Sequence, residues 1–502
     1  MEDLLAQKIE EEAKRRLKKW RQKAADKKKK YERFQKKSGM HGPFRPLAPP
    51  ALWSELSHFN PYYCIKNSKY ISRVIIRKVR QGTYRPQVSV RHEIPKQNGT
   101  FREVDAFGIP DSALCTHLSA ALRERNDRIF SAYSYAYRPG LKPIDAISRL
   151  SSFLKSEKVF ASKYDFKDYF GSVSHDYINR EILDSKRFKI TAFEKSVIRA
   201  ILTHEYTTKE GERLHRSRGF PQGNSLSLFL ANAVGHHLDS SLDKSNGNYI
   251  RYADDTIVIT YTYEDSIKSI SAYSDFSRET TVRINTEKES GVSIISDRDG
   301  EMRTHKSLAF LGYDVSKNKI TLSEKTIARL KVRCSKIIYR NLLMFPKRFG
   351  CIPKKRIDSF GADWDLLACI VELRLMLYGH VNQSKINRYL AGRSRLKSIP
   401  GSISYYCLAE EVEDFSQLDG WLVWAVLRAL TQRYKFPICS SPTRPPVLPS
   451  AFELIDGSWL RAHRRYDGRL PSFVTAWRAG KKAWFSYGNL GVSGGSDVYE
   501  YE

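Results

Sequence analysis

The chain has 502 residues and a formal net charge of +30, because 85 lysines and arginines outnumber 55 aspartates and glutamates. A positive excess of this size favours a polyanionic partner, most simply nucleic acid, over an anionic membrane surface. No apolar run reaches the roughly 20 residues of a membrane-spanning helix, so we expect no membrane partner. The seven cysteines form no CxxC pair, which excludes a common zinc spacing and predicts reduced thiols in a cytoplasmic protein.

The N-terminal region is predicted to form a basic helical arm, residues 1–41, and a proline-rich linker, residues 42–60. The stretch KKWRQKAADKKKKYERFQKK has a helical composition, but its apolar residues are too sparse to predict a packed helix. Two interpretations stay open. The arm binds a partner such as an RNA or DNA backbone, or it remains a solvated, mobile segment.

Residues 61–322 alternate helical and extended patterns, which predicts an α+β fold. Helices are expected at 111–125, 143–157, 191–204 and 225–242. Strands are expected at 88–94, 159–166, 249–253, 256–262, 291–296 and 308–315. The pattern of residues 323–435 is mostly helical, so we predict a helical domain there, followed by a basic and aromatic extension at 436–502.

The stretch NYIRYADDTIVITY places Asp254 and Asp255 side by side between two runs of β-forming residues. Two short strands with a polar break predict a hairpin, and the break then holds two carboxylates that repel each other. Acidic residues are common in ordinary turns. A turn that holds divalent metal ions is the alternative, and the spacing alone leaves both interpretations open.

A second acidic position, Asp165, follows the β-forming run that ends at Tyr164. Phosphoryl transfer from a nucleotide uses two metal ions roughly 3.5–4 Å apart, held by carboxylates from separate strands. Asp165 and the Asp254–Asp255 turn would supply such a set, and Mg²⁺ prefers oxygen ligands. A helix cap or a surface acid is the alternative for Asp165 taken alone.

A third motif, SRGFPQGNSLSLFL, is a Pro-Gln-Gly turn that leads into a helix, with Asn224 or Ser225 as the expected cap. Small residues in such a turn allow another backbone or a ligand to approach closely, and Gln222 could lie against a nascent base pair. An ordinary junction between a loop and a helix is the alternative.

The blocks DFKDYF, FPQGNSLS and YADD resemble three sequence blocks of reverse transcriptases, and they occur in that family's chain order. Four further stretches resemble blocks of the same family: EIPKQNGTFREVDAFGIPD, SAYSYAYRPGLKPIDAI, RINTEKESGVSI and FLGYDVS. The resemblance implies a nucleotidyltransferase, an RNA-directed DNA polymerase with a right-hand fold. Fingers and a palm with an antiparallel sheet would occupy residues 61–322, and an α-helical thumb residues 323–435.

The resemblance also implies roles for individual residues. Asp165, Asp254 and Asp255 would bind two Mg²⁺ ions, for which Mn²⁺ can substitute, and Phe166 would add its backbone carbonyl. Phe170 stands where the family has a steric gate that excludes a 2′-hydroxyl and so favours deoxynucleotides.

Other roles concern the nucleotide and the primer. Lys96 and Arg102 would neutralise the triphosphate, Gln222 would support the nucleotide, and Arg138 would contact template or nucleotide. Lys288 would be the general acid toward pyrophosphate. The primer grip would consist of Phe310, Leu311, Gly312 and Tyr313.

The palm resembles group II intron and retron enzymes, and the architecture most resembles the bacterial "unknown group" and abortive-infection reverse transcriptases of antiphage defence. The shared features are a basic N-terminal extension, a long helical region and no recognisable mobility module. This resemblance implies a structured non-coding RNA as template or scaffold, deoxynucleotides as substrates and DNA as product. Members of that class also form homo-oligomers or prime on a protein hydroxyl, a role open here to Tyr499 and Tyr501.

Four aromatic residues of the C-terminal extension could stack on unpaired bases or form a small core: Trp459, Trp477, Trp484 and Tyr487. For the whole chain, three other functions remain open. They are an RNA-binding scaffold without essential polymerase activity, an RNA-dependent RNA polymerase, and a template-independent DNA polymerase.

Overall fold

The computed structural model describes residues 1–38, 42–95, 99–156, 158–245, 247–285, 291–296, 302–439, 446–463 and 465–494. Two compact units make up the chain: Met1–Lys27 with Arg45–His305, and Lys28–Phe44 with the described residues from Lys306 onward. The predicted boundaries of the arm, linker, palm, thumb and extension stay predictions. Among the described helices, none is long and apolar enough to cross a membrane.

The first unit contains most of the predicted elements. Its helices are α1 (Glu2–Ser38, which ends in the second unit), α2 (Leu52–Glu55), α3 (Pro61–Lys66), α4 (Ser68–Arg80), α5 (Ile109–Asn126), α6 (Pro143–Phe153), α7 (Tyr169–Ser172), α8 (His175–Tyr177), α9 (Ala192–Leu202), α10 (Ser225–Leu242) and α11 (Tyr263–Thr280). Its strands are β1 (Ser89–Pro95), β2 (Phe101–Ala106), β3 (Phe160–Tyr164), β4 (Phe166–Lys167), β5 (Glu205–Thr207), β6 (Arg213–His215), β7 (Asn248–Tyr252), β8 (Asp255–Thr260), β9 (Arg283–Ile284), β10 (Val292–Ile295) and β11 (Thr304–His305).

The strands of the first unit form three sheets. The largest has the order β11-β10-β3-β8-β7. Three of its four pairings, β10 with β3, β3 with β8 and β8 with β7, are antiparallel, and β10 with β11 is parallel. A second sheet has the order β2-β1-β5-β6, and β4 pairs with β9. The predicted α+β class is confirmed. The predicted helices correspond to α5, α6, α9 and α10, although α6 ends at Phe153 rather than at residue 157.

The first half of α1 is packed, which contradicts the expectation that its apolar residues are too sparse. Leu5, Ile9 and Ala13 are buried in the core of the first unit. They lie four residues apart, so they share one face of the helix although the overall composition is polar. The Ser72 hydroxyl donates to the carbonyl of Glu2 at 2.6 Å and fastens α1 to α4.

The second unit combines a small antiparallel sheet with helices. Its strands are β12 (Ser307–Phe310), β13 (Tyr313–Ser316) and β14 (Ile320–Leu322). Its helices are α12 (Glu324–Ile338), α13 (Met344–Phe349), α14 (Trp364–Tyr378), α15 (Gln383–Leu390), α16 (Glu413–Arg433), α17 (Ala451–Asp456) and α18 (Phe473–Tyr487). The predicted strand at 308–315 is in fact the β12–β13 hairpin.

Two sequence expectations about the second unit need correction. Cys351 and Cys439 form a disulfide, whereas the cysteine spacing predicts reduced thiols throughout. The other five cysteines are free and buried. Trp477 is also buried: its ring stacks on Phe415 at 5.0 Å and its Nε1 donates to the carbonyl of Ala409 at 3.1 Å. Trp477 is therefore a core residue, as one of the two interpretations of the C-terminal aromatic residues expects, and its ring is not available to stack on a base.

Candidate active site

The register of the largest sheet places two of the predicted aspartates opposite each other. Strands β3 and β8 pair Tyr164 with Thr256. Asp165 follows the first of these residues and Asp255 precedes the second, so continuing the antiparallel register by one residue sets the two aspartates across from each other. Directly opposed Cα atoms in such a pair lie roughly 4.5–5.5 Å apart.

Asp254 belongs to the tight turn between β7 and β8, which the Tyr252–Asp255 pair closes. The residue before it, Ala253, has φ +61°, a left-handed conformation that disfavours a side chain carrying Cβ. A strained turn persists only where its surroundings hold it. The hairpin predicted from the sequence is thus present, with the two acidic residues at its tip.

A buried arginine holds this turn. Arg251 is 1% exposed, and its Nη1 donates to the carbonyl of Ala253 at 2.9 Å. Its other donors form a bidentate pair with Asp239 on α10, with Nε–Oδ1 at 2.7 Å and Nη2–Oδ2 at 2.6 Å. A Cβ at Gly235 would lie 2.6 Å from the guanidinium carbon, so α10 needs a glycine there. Sequence reasoning missed Arg251, although a lone charge inside a β-forming run was the available signal.

The aspartates interact electrostatically. Burial raises the pKa of Asp254 to about 6, and the negative charges of Asp255 and Asp165 add to that rise. Arg102 on β2 opposes it with its positive charge. The structure therefore brings Asp165, Asp255 and Arg102 within electrostatic range of Asp254. Their roles toward metal ions and a triphosphate stay predictions.

Two polar side chains, those of Asn285 and Lys163, contact the carboxylates of Asp165 and Asp255. The Asn285 amide nitrogen Nδ2 donates to Asp165 Oδ2 at 3.3 Å, and the Asn285 backbone N–H donates to the carbonyl of Asp165 at 2.8 Å. Lys163 Nζ lies 3.4 Å from Asp255 Oδ1. Sequence reasoning missed both residues, because Lys163 meets Asp255 only through the pairing of β3 with β8, and Asn285 meets Asp165 only through the pairing of β4 with β9.

The donor chemistry of the three aspartates fits a hard divalent cation. Carboxylate oxygens are the ligands that Mg²⁺ and Mn²⁺ prefer, and a cation would offset the mutual repulsion that raises the pKa of Asp254. In the described ranges, no three His, Cys, Asp or Glu side chains converge closely enough to hold one metal ion. The two-metal site and the Phe166 carbonyl ligand stay predictions.

The predicted gate residue contacts the Pro-Gln-Gly segment. The Phe170 ring meets Phe220 edge-on, with centroids 5.1 Å apart, and the Phe220 N–H donates to the carbonyl of Phe170 at 2.8 Å. Gly219 has φ +67°, and a Cβ there would overlap that carbonyl. The loop before α10 therefore lies against the segment that follows Asp165.

The Pro-Gln-Gly turn also lies against β2. The carbonyl of Gln222 accepts a bond of 2.8 Å from the Asp105 N–H, and a Cβ at Gly223 would come within 2.9 Å of the Asp105 carbonyl. Strand β2 also carries Arg102. These contacts attach the Gln222 turn to the strand that carries Arg102. The roles of Phe170, Gln222 and Arg102 toward a nucleotide stay predictions.

The carboxylate of Asp105 joins the two hairpins of the second sheet. It is buried and accepts bonds from Arg91 Nε at 2.8 Å and Arg216 Nη2 at 2.6 Å. Burial alone would raise the pKa of Asp105, but His204, Arg91 and Arg216 together hold it well below its usual range. Sequence reasoning missed this ion-pair network, since its members are far apart in the chain.

Arg138 is engaged within the protein. Its Nε lies 2.8 Å from Asp127 Oδ1, and its Nη1 donates to the carbonyls of Ser131 at 2.6 Å and Ser134 at 2.9 Å. Only 10% of the side chain is exposed. These bonds satisfy donors that a ligand would need, so the structure speaks against the predicted contact of Arg138 with template or nucleotide.

The remaining predicted residues divide into two groups. Lys96, Lys288, Tyr499 and Tyr501 lie outside the described residues. The predicted primer grip forms the β12–β13 turn of the second unit, with φ +48° at Leu311 and +86° at Gly312. Phe310, Leu311 and Tyr313 are buried in that unit, so a contact with a primer would involve the backbone of the turn. That role stays a prediction.

Comparison with known proteins supports the polymerase interpretation. Residues 94–315 match the family model described as reverse transcriptase (RNA-dependent DNA polymerase). This segment of the chain is therefore similar to reverse transcriptase domains. All three aspartates lie within the matched residues, and the sheets and helices of the α+β fold are consistent with a right-hand polymerase. The resemblance to reverse transcriptases inferred from the sequence blocks is therefore confirmed for residues 94–315.

Individual relatives are distant. The COX1/OXI3 intron 2 protein of Saccharomyces cerevisiae is 22% identical over an alignment 297 positions long, which covers 48% of this chain and 33% of that protein. Apo telomerase from Candida tropicalis is 16% identical with a TM-score of 0.38, covering 52% of this chain and 60% of that one. Telomerase from Candida albicans, in complex with a fragment of telomeric RNA, is 15% identical with a TM-score of 0.39, covering 74% and 66%. The chain thus spans a third of its yeast relative.

Proposed function

We propose that the protein is an RNA-directed DNA polymerase that extends a primer 3′-hydroxyl with deoxynucleotides. One observation carries this proposal: the pairing of β3 with β8 sets Asp165 beside the Asp254–Asp255 turn within the matched reverse transcriptase segment. Bound divalent ions would supply Lewis-acid stabilisation of the charge that develops on the phosphoryl oxygens. Asp165, Asp254 and Asp255 would hold them, with the Phe166 carbonyl as a further ligand.

The neighbouring side chains support the substrate in this proposal. Arg102 interacts with Asp254 and so lies where a triphosphate beside the aspartates needs a positive charge. Phe170 would press on the sugar and exclude a 2′-hydroxyl, and Gln222 would support the nucleotide from the turn on β2. The fixed positions of Phe170 and Gln222, bound to Phe220 and Asp105, favour a rigid nucleotide site.

Primer extension tests the proposal. The full chain is incubated with an RNA template, an annealed DNA primer, Mg²⁺ and either deoxynucleotides or ribonucleotides. We expect extension with deoxynucleotides and its loss in the Asp254→Asn variant. Asp275→Asn is the matched control, since Asp275 lies on the exposed side of α11, and it should retain wild-type extension.

The same assay separates the alternatives. Extension with ribonucleotides alone would indicate an RNA-dependent RNA polymerase. Synthesis that is unchanged after RNase removes the template would indicate a template-independent DNA polymerase. If the biological activity of the protein survives in Asp254→Asn, the RNA-binding scaffold is the better description.

The finer proposal is a role in bacterial antiphage defence in the cytoplasm, with a structured non-coding RNA as template or scaffold. Its support is the architectural resemblance together with the net charge of +30. A strain carrying the gene with its flanking DNA should resist phage, and the Asp254→Asn strain should not. Sequencing the nucleic acid that co-purifies with the protein identifies the RNA. The mass of the protein in solution shows whether it forms homo-oligomers.

A further inference from the structure

One face of α4 presents three arginines. Arg73, Arg77 and Arg80 are exposed and lie at spacings of four and three residues, so they form one stripe along the helix. We call this stripe the arginine face. The side of α4 that faces away from these arginines carries Ser72, Ile75 and Val79 and is buried. Since the Ser72 hydroxyl bonds to Glu2 on α1, the helix cannot turn its arginines inward.

The arginine face lines a cavity of about 390 Å³. Its lining consists of the three arginines with Gln81 and Glu2. Among the described residues, none of the three arginines forms an ion pair or a side-chain hydrogen bond, so their donors are available to a ligand. Basic residues in the last turn of a helix interact favourably with the helix dipole. This effect is another reason for Arg77 and Arg80 to be present, but it does not apply to Arg73, which lies in the second turn.

Two further features indicate an extended ligand. Tyr70 precedes Arg73 by three residues on the same face and is 66% exposed, so its ring is open to stacking. A second cavity of about 390 Å³ begins at the next residue after Gln81 and is lined by Gly82, Arg85 and Arg199 among others. Positively charged side chains therefore also line the surface beyond the C-terminal end of α4.

The dimensions suit a nucleic acid strand. Arg73 and Arg80 are seven residues apart, which is about 10 Å along the helix at 1.5 Å per residue. If the single strand is stacked, with the roughly 3.4 Å rise per nucleotide of one strand of a duplex, this length corresponds to about three nucleotides. Guanidinium groups bind phosphates in pairs of hydrogen bonds, and an exposed aromatic ring beside them is typical of sites for unpaired bases.

We propose that the arginine face, with Tyr70 and Gln81, binds a single-stranded segment of the RNA partner. The arginines contact successive phosphates, and Tyr70 stacks on a base. Gln81 bonds a 2′-hydroxyl, which only RNA offers, because its amide both donates and accepts. This inference deepens the proposed function by naming a surface that holds the RNA, and no residue of this surface belongs to the aspartate site.

The test measures the binding of a fluorescently labelled, unstructured 15-nucleotide RNA to the full chain, without nucleotides or added metal. Arg73→Gln/Arg77→Gln/Arg80→Gln should weaken binding at least about tenfold. The slope of log affinity against log salt concentration should become shallower by about 2, since each lost phosphate contact removes about 0.7. Tyr70→Ala should weaken binding about fivefold or more, and Tyr70→Phe should restore it.

The matched control neutralises three other exposed cations of the same unit: Lys186→Gln/Arg187→Gln/Lys189→Gln. It removes the same charge and should leave affinity within about twofold and the salt slope unchanged. Thermal melting shows that each variant is folded, which the exposure of the substituted residues favours.

Three results would overturn the inference. They are wild-type affinity in the arginine variant, an equal loss in the control, or equal wild-type affinity for duplex RNA or for single-stranded DNA of the same sequence. The proposed function fails separately: a wild-type chain that binds this RNA through α4 but never extends a primer would refute polymerase activity and leave the binding surface standing.

Discussion

The buried pair of Arg251 and Asp239 provides the sharpest test of how the acidic turn is held. Arg251→Met removes the guanidinium and leaves the Asp239 carboxylate buried on α10 without its bidentate partner. Breaking a buried pair in this way typically costs about 3–5 kcal/mol. The bond to the Ala253 carbonyl is lost as well, so the left-handed residue before Asp254 is no longer held.

Urea denaturation measures this loss as a change in the free energy of unfolding. Adding Asp239→Leu to Arg251→Met removes the stranded charge and should recover most of the lost stability. Primer extension should stay low in the double variant, since the Ala253 carbonyl remains unbound. A loss below about 1 kcal/mol in Arg251→Met, or full extension activity in the double variant, would refute this reasoning.

Four more predictions concern single residues. Gly235→Ala should destabilise the protein by about 1–3 kcal/mol in urea denaturation, because its Cβ would meet the Arg251 guanidinium. Phe170→Val should raise incorporation of ribonucleotides relative to deoxynucleotides at least about tenfold, measured by competition in primer extension. The pKa of His236 is lowered to about 4 by burial and nearby cations, so the unfolded chain binds its proton first as pH falls. Stability is therefore lost between about pH 6.5 and 4, by about 1–2 kcal/mol for this partly exposed ring, and His236→Gln should flatten that part of a stability profile. The pKa of Asp105 is held low, so its contribution is present above about pH 4 and lost below it. Asp105→Asn should lower the free energy of unfolding at pH 7, and this free energy should then depend less on pH below about pH 4 than it does in the wild type.

Those parts of the candidate site that depend on local sequence patterns could be predicted from the sequence. The β-forming runs around Asp254 and Asp255 predict the hairpin, and the sheet register then sets Asp165 beside it. The residues that hold the acidic turn could not be predicted from the sequence. Arg251 and Asp239 are separated by 12 residues and meet only when β7 packs on α10. Asn285 likewise reaches Asp165 only through the pairing of β4 with β9.

Composition misled the sequence analysis where spacing was the better guide. The arm predicted at residues 1–41 looked too polar to pack, yet Leu5, Ile9 and Ala13 recur every fourth residue and bury one face of α1. The Cys351–Cys439 disulfide joins residues 88 positions apart, and no spacing rule identifies such a pair. The predicted ligand contact of Arg138 rested on its sequence block alone, whereas in the fold its Nη1 donates to the carbonyls of Ser131 and Ser134.

Single-nucleotide incorporation by Asp165→Asn tests the central claim most directly, because Asp165 follows β3 rather than belonging to the β7–β8 hairpin, and it acts with the acidic turn only if the three carboxylates converge. The assay uses an RNA template, a DNA primer and Mg²⁺, with folding checked by thermal melting. The account predicts that incorporation falls at least about 100-fold, the rate equivalent of a few kcal/mol, as it should in Asp254→Asn. Incorporation by Asp165→Asn at the wild-type rate would contradict it.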